Sequence, residues 1–548
     1  MPRKDPSCFP NYAPTLPNVI ADCVRQHGER EFLVGPSQRL TFREAEAVSA
    51  ELALGLLAVG VGKGTRTAIL MPNGPDWVTA WWAAARVGAL TVALSTFFQP
   101  RELAWALREA DIDTLLVIDR FMNNDYLARL EVALPELSHH DTPQLVLRSH
   151  PYLRRIVCWG QDRRPWAIAG PGELLASAHA DCRFDRALLQ AVETAVTPSD
   201  DLVGICTSGS TSAPKIVIHT HANVIRLTHT YRRYVRLNPS DRNYSGMPFF
   251  WVGGLNVNLL QAMYGGAAMV FAASTRPEDV LEAIRRERVT RVSMWPAQVA
   301  ALAEQARANG SDTSSVKRGL DTPVDETGQS IPANRRIAST MGMTESFGPH
   351  GAGRFDETLP EEKGGSWGYE IEGIERKIVD PVTGVELPAG EIGELYIRGF
   401  SMMRGYYKRE RSEVFQPDGF FATGDLCRID ADGYIWFIGR DSEMIKTAGA
   451  NVAPREVELL METYPEVREA IVMGLPDAVK GEVIVAVAVP REGHFIDSHE
   501  LLARLRGDLS AYKVPKQIVA MSQDDIPRTA NGKPLKPRLK ELLPALLS

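Results

Sequence analysis

A chain of 548 residues is longer than one ordinary hydrophobic core organises, so at least two domains are expected. With 44% hydrophobic and 24% charged residues it has the composition of a soluble globular protein, and a formal net charge of −7 gives no electrostatic case for nucleic acid or an anionic membrane as the main partner. The six cysteines (Cys8, Cys23, Cys158, Cys182, Cys206, Cys427) are scattered without CxxC spacing, which argues against a zinc site or a disulfide framework and for free thiols in a reducing cytoplasm.

In chain order, residues 1–11 are polar and proline-containing and lack the apolar core of a signal peptide. From 65 to 118 short apolar runs alternate with helical periods: strands over 65–71, 90–94 and 114–118, helices over 76–87 and 101–110. This is the signature of parallel α/β layers. The long apolar stretch 77–94 is interrupted by Arg86 and Gly88 and reads as buried α/β structure, not a membrane span. The segment 160–198 is mixed. The alternation resumes with a strand at 267–271, a helix at 277–286 and a strand at 292–294. After Gly364 short strands separated by Gly, Pro and Asp turns (394–398, 419–421, 433–437) predict a β-rich subdomain over about 364–438. Beyond Arg440 a compact α+β pattern follows: helix 454–463, strands 470–474 and 483–490, helix 499–510, then a basic, proline-containing tail over 513–540. The expected division is a large domain over 1–440 and a small one over 441–548.

The segment Thr207-Ser208-Gly209-Ser210-Thr211-Ser212-Ala213-Pro214-Lys215 lies between two apolar strands, 202–206 and 216–220. Such a unit can turn as a tight β-hairpin whose hydroxyls and backbone N–H groups face one concavity suited to phosphate oxygens, with Lys215 as a point charge. It is not a Walker loop, since no Gly-Lys-Ser/Thr opens a helix. Alone, it reads equally well as a polar surface loop.

Four further segments follow in order: Met341-Gly342-Met343-Thr344-Glu345; Thr423-Gly424-Asp425; Gly439-Arg440, leading into Ile445-Lys446-Thr447-Ala448-Gly449-Ala450-Asn451-Val452-Ala453-Pro454-Arg455-Glu456-Val457-Glu458; and Pro527-Arg528-Thr529-Ala530-Asn531-Gly532-Lys533. This ordered set resembles the adenylate-forming (AMP-binding) superfamily of acyl-CoA synthetases, peptide-synthetase adenylation domains and beetle luciferases, over nearly the whole chain. The resemblance implies an N-terminal domain of α/β layers with a β-barrel and a small mobile α+β lid. It also implies two half-reactions: a carboxylate attacks the α-phosphorus of Mg-ATP and releases pyrophosphate, then the lid turns and the thiol of coenzyme A attacks the acyl carbon, releasing AMP.

By the same resemblance Glu345 would hold Mg²⁺, which needs hard oxygen ligands and shields developing phosphate charge. Thr344 would touch the α-phosphate. Asp425 would accept from the ribose hydroxyls, with Arg440 as the second ribose contact. Lys533 would bridge carboxylate and α-phosphate in the first half-reaction. Lys446 and the loop through Gly449 would enter the site for the second, the glycine letting a pantetheine arm pass. Four positions depart from the family pattern. Ser212 replaces a glycine. Met341 stands where an adenine-stacking aromatic is common, and its polarizable sulfur can still lie against a ring. Ser442 replaces a hinge Asp or Lys. In 247–254, Trp251 replaces a histidine near the junction of acyl and pantetheine channels.

The acid pocket is expected between Trp251, Val252, Gly253 and Gly254, the strand end Met294-Trp295, and Gly342. These residues are apolar, so a fatty, aryl or alicyclic acid is favoured over an amino acid; adjacent Gly253 and Gly254 are expected to leave room for bulk, with Trp251 capping the space. Two other readings stay open at this point: loading of a carrier protein's phosphopantetheine, and a catalytically silent relative that binds nucleotide or acid. The retained Glu345, Asp425, Arg440 and Lys533 oppose the second.

Overall fold

The computed structural model describes residues 9–207, 214–320, 329–336, 340–354, 356–440, 444–528 and 534–547. Two α/β sheets form the N-terminal layers. The larger runs Gly405–Tyr406, Lys215–Thr220, Asp201–Thr207, Leu90–Ala93, Arg66–Leu70, Thr114–Ile118, Arg155–Trp159. Its strands from Asp201–Thr207 onward are mutually parallel, and Lys215–Thr220 returns antiparallel as a hairpin. The smaller runs Arg291–Ser293, Arg242–Ser245, Ala268–Val270, Glu31–Val34, Arg39–Thr41. The strands and helices expected over 65–118 and 267–294 are present with ends moved by a residue or two. The mixed segment resolves into two helices, Gly170–His179 and Arg186–Thr194.

The helix Pro75–Arg86 shows why the apolar stretch is no membrane span. Trp77, Trp81 and Trp82 are fully buried, as are Val78 and Ala83–Ala85, so the helix is covered all round. Its terminal Arg86 is buried too, and is neutralised there. Its guanidinium pairs with Glu46 at 2.6 Å and with Glu193, and donates to Ser49 Oγ at 2.9 Å. A buried cation persists only when its donors and charge are matched in this way.

The β-rich region after Gly364 combines a four-stranded antiparallel sheet (Ile374–Val379, Ile392–Gly399, Phe421–Ile429, Ile435–Arg440) with a three-stranded one (Met341–Met343, Gly348–Ala352, Tyr369–Glu370). The two are joined by backbone hydrogen bonds between Trp367 and Ile435 and between Ile435 and Gly368. The expected strand at 419–421 starts only at Phe421, because Gly419 turns at φ +82°.

In the C-terminal part a long hairpin, Val467–Asp477 with Gly481–Pro490, is flanked by Ile445–Thr447, Ala450–Val452 and the parallel Gln517–Ala520. Alternate residues of the hairpin face opposite layers. Ala470, Val472, Ile484 and Ala486 meet the helices Pro454–Glu462 and Ser498–Asp508. Ile471, Met473, Val485 and Val487 meet Leu539 and Leu543 of Lys536–Leu547. The basic tail is thus structural over its described residues: it supplies a strand, a helix and a buried lysine, Lys513.

Candidate active site

Thr207 ends one strand of the hairpin and Lys215 opens the next, directly opposite it. The expected hairpin is therefore formed, and Ser208, Gly209, Ser210 and Thr211 at its turn lie outside the described residues. The strand Lys215–Thr220 runs into the helix His221–Val235 through a capping box, Thr220 accepting from the Asn223 N–H. This fixes His219, one residue earlier, in full burial. Its Nε2–H donates to the Thr344 carbonyl at 2.7 Å and burial pushes its pKa down to about 4, so the ring is a neutral donor.

Thr344 and Glu345 form a single 3₁₀ turn after Met341–Met343, which pairs with Gly348–Ala352. Gly342 is required by that pairing: a Cβ there would stand 2.6 Å from the Gly348 backbone. The Glu345 carbonyl accepts from Met403 N–H at 2.7 Å and its Oε1 from Tyr406 Oη–H at 2.8 Å. The Tyr406 ring lies under the Lys215 ammonium, 4.8 Å from the centroid. Lys215, Tyr406 and Glu345 therefore form one connected group on the Gly405–Tyr406 edge strand.

Asp425 and Arg440 occupy directly opposed positions in the antiparallel pair Phe421–Ile429 and Ile435–Arg440. Two residues 15 apart in sequence are thereby neighbours. Trp367 and Phe437, ring centroids 5.5 Å apart, line the same region with Met341.

Lys215, Glu345, Tyr406, Asp425, Trp367 and Phe437 all line one cavity of about 430 Å³. Thr207, Lys215, Met341, Gly342, Thr344, Glu345 and Asp425 line it from one side, and Trp251, Val252, Gly253, Gly254 and Trp295 from another. The roof comes from the C-terminal part. Lys446 lines the cavity with its ammonium 4.2 Å from the Phe437 ring centroid. Ala448 and Gly449, at φ +48° and +85°, make the two-residue turn of the hairpin Ile445–Thr447 and Ala450–Val452. A Cβ on Gly449 would lie 2.2 Å from Trp295 Cδ1, so the tip of this hairpin rests on the indole.

Two expectations are corrected. Met294 is not among the residues that line the cavity; it abuts Gly246 and packs against the core beneath the smaller sheet. Gly254 does not leave room for a substrate, because the space of its missing side chain is taken by the Pro248 carbonyl, 2.0 Å from where a Cβ would be. Trp251 lines the cavity, and its ring belongs to an edge-to-face cluster with Phe250, Trp295 and Tyr512, centroids 5.2, 5.5 and 6.0 Å away, Tyr512 being contributed by the C-terminal part. Lys533 lies outside the described residues.

The sequence reading missed Tyr406, Trp367, Phe437, Glu102, Glu456, Tyr512 and Lys513, all of which line the cavity. Lys513 opens the tail that the sequence reads as basic and proline-containing, and Tyr512 immediately precedes it. Burial opposes the charge on Lys513, and the carboxylates of Glu456 and Glu102 outweigh it and raise its pKa. Among the described residues no group of three or more His, Cys, Asp or Glu could hold a metal ion, and no helix is long and apolar enough to cross a membrane.

Comparison with known proteins adds a second line. The family model described as AMP-binding enzyme matches residues 20–407, and that of the AMP-binding enzyme C-terminal domain matches 456–533. A putative acyl-CoA synthetase of Bacillus subtilis is 28% identical over 96% of each chain. A feruloyl-CoA synthase of an Amycolatopsis species is 31% identical over 91% of this chain and 92% of its own. Among solved structures, an o-succinylbenzoate-CoA synthetase double mutant of Bacillus subtilis bound to a product analogue superposes with a TM-score of 0.74 at 25% identity, over 95% of this chain and 98% of that one.

Proposed function

The chain belongs to the AMP-binding enzyme family, and from that premise we propose that it couples ATP cleavage to the activation of a hydrophobic monocarboxylic acid, working in a reducing cytoplasm. The family chemistry is that of an AMP-forming acid–thiol ligase: an acyl-adenylate is formed from acid and ATP, then converted to a thioester of coenzyme A. One observation carries the substrate class. The cavity's charged lining residues are Lys215, Glu345, Asp425, Lys446 and the mutually paired Glu102, Glu456 and Lys513, whereas Met247, Val252, Gly253, Val257 and Pro349, which also line it, carry no charge. A second carboxylate or an α-ammonium would be left unpaired there, which is costly in a buried site. The feruloyl-CoA synthase relative supports an aryl acid within this class.

In this reading Lys215 and the Thr344 hydroxyl hold the phosphates while Asp425 accepts from the ribose hydroxyls. Trp367 and Phe437 offer the aromatic surface that Met341 lacks. The residues fit a magnesium ion carried in with ATP. Tyr406 donates to Oε1 of Glu345, a carboxylate whose second oxygen is the kind of hard ligand magnesium takes, and magnesium is usually held by one or two carboxylates together with phosphate and water. Such an ion would neutralise phosphate charge. Lys533 is assigned to adenylation and Lys446 to thioester formation. The five described cysteines are free thiols, which supports the cytoplasmic assignment.

The test is a pyrophosphate-release screen across aryl, fatty and alicyclic acids, dicarboxylates and amino acids, each with and without coenzyme A. Hydrophobic monocarboxylates should release pyrophosphate and yield a coenzyme A thioester. Release confined to amino acids or dicarboxylates would overturn the substrate class. Adenylation with a carrier protein as the sole effective acceptor would overturn the acceptor.

A further inference from the structure

Glu102 and Lys513 are 411 residues apart and meet in the interior. Glu102 stands in the first turn of the helix Pro100–Glu109, where its Oε2 accepts from the Gln99 backbone N–H at 2.9 Å. The same Oε2 accepts from the backbone N–H and the hydroxyl of Ser510, at 2.9 and 2.7 Å, and Oε1 accepts from the Lys513 ammonium at 2.7 Å. Lys513 also donates to Glu456 Oε1 at 2.7 Å. The side chains of Lys513, Glu102 and Glu456 are 5%, 9% and 9% exposed. Between Ser510 and Lys513 the chain makes a 3₁₀ turn, and Tyr512 from that turn stands edge-on to Phe97 and Trp251 of the N-terminal part.

Three features separate this cluster from ordinary surface pairing. It joins the two parts of the chain, it is desolvated, and it has two carboxylates for one ammonium. Three of the four hydrogen bonds to Glu102 come from the 510–513 turn, so one rigid carboxylate reads the position of that turn. Breaking such a pair leaves charge buried and unmatched. The turn and the Lys446–Gly449 hairpin both belong to the C-terminal part, and Ala450–Val452 packs on Ala511–Lys513. A turn held against Glu102 therefore holds the hairpin tip against Trp295 as well.

We infer that Glu102, Ser510 and Lys513, with Tyr512 seated against Trp251, form a clasp that positions the Lys446–Gly449 hairpin in the cavity for the thioester step. The inference rests on the proposed assignment of that hairpin to thioester formation. Glu102 and Lys513 are positioning residues: they act through the placement of the hairpin. Because Ala450–Val452 packs on the 510–513 turn, a movement of the C-terminal part that withdraws the Lys446–Gly449 hairpin from the cavity would also pull that turn away from Glu102. The clasp thus favours one half-reaction over the other.

The experiment measures the two half-reactions separately in single turnovers of the full chain: formation of acyl-adenylate from ATP and an accepted acid, and conversion of supplied acyl-adenylate with coenzyme A. The ratio of the second rate to the first is the readout. In Lys513→Met it should fall about tenfold or more, the scale of a clear population shift between two orientations. Glu102→Gln should lower it in the same direction, and Lys513→Arg, which keeps the charge, should restore most of it. Should the core variants fail to fold, Ser510→Ala, which removes one hydrogen bond at the same carboxylate, should still lower the ratio about two- to threefold. An unchanged ratio, or equal loss of both rates, would assign the cluster a purely structural role and overturn the inference. Failure of the wild-type protein to convert acyl-adenylate with coenzyme A would instead overturn the proposed function, so the two are distinguishable.

Discussion

Gly449 is constrained twice, by a left-handed backbone at φ +85° and by an indole where its Cβ would be. Gly449→Ala should therefore lift the hairpin tip off Trp295 and slow thioester formation by roughly tenfold, while adenylation is slowed less; stopped-flow measurement of both half-reactions decides, and equal slowing would place the hairpin outside the second step. Tyr406 makes a narrower case. Its hydroxyl is the donor that orients Glu345, and Tyr406→Phe deletes one hydrogen bond to a charged acceptor, worth about 1.5–3 kcal/mol, so the apparent affinity for Mg-ATP should fall by at least about tenfold with little change in thermal stability. Glu345→Gln should go further and lower pyrophosphate release by roughly 10²–10³; normal release would show that another group binds the metal. Trp251→Ala should widen the accepted acids towards bulkier ones. Since Trp251 also meets Tyr512, it should in addition lower the ratio of thioester to adenylation rates, which distinguishes a shared seam from a mere pocket wall.

Among the elements, the motifs legible in the sequence were those whose chemistry is local. Thr207 with Lys215, Thr344 with Glu345, and Lys446 with Gly449 each sit within one hairpin or turn, and each lines the cavity. The parallel layers were legible because buried strands read as short apolar runs. What escaped was set by packing between distant segments. Glu102 falls within the expected helix over 101–110 and Lys513 at the start of the basic tail, and nothing within a local window links them. Gly254 misled for a related reason: a glycine signals a close approach, yet the sequence does not say whether a ligand or, as here, a neighbouring carbonyl makes it. The helix Pro75–Arg86 carries the same lesson in energetic form. Arg86 terminates an otherwise apolar buried helix and is matched by Glu46 and Glu193. Arg86→Ala should destabilise the fold by about 3–5 kcal/mol, because two carboxylates are left behind with no cation between them. A far smaller shift in the urea midpoint would mean that water reaches them.

For the molecule as a whole, three buried imidazoles set a lower limit to the working pH. Burial pushes His219 and His221 down to about 4 and His350 to about 3, from an ordinary 6.5. Between those values the unfolded chain binds protons that the folded chain refuses, so stability should be complete above pH 6.5 and fall as the pH drops towards 4, by about 1.4 kcal/mol per pH unit for each ring. Denaturation midpoints at pH 7.5 and 5 should show this loss, and His219→Gln, which removes one titrating ring, should make the slope shallower; an unchanged slope would mean that His219 is not among the groups responsible. Because His219 holds the Thr344 carbonyl, acid should disturb adenylation before the rest of the fold gives way. The roof over the cavity has a different consequence. An acyl-adenylate is a mixed anhydride, and an open site would lose it to hydrolysis while waiting for its thiol. With Lys446, Gly449, Tyr512 and Lys513 lining the cavity from the C-terminal part, leakage should depend on how firmly the clasp holds that part in place, so a loosened clasp should squander ATP, releasing more AMP than thioester.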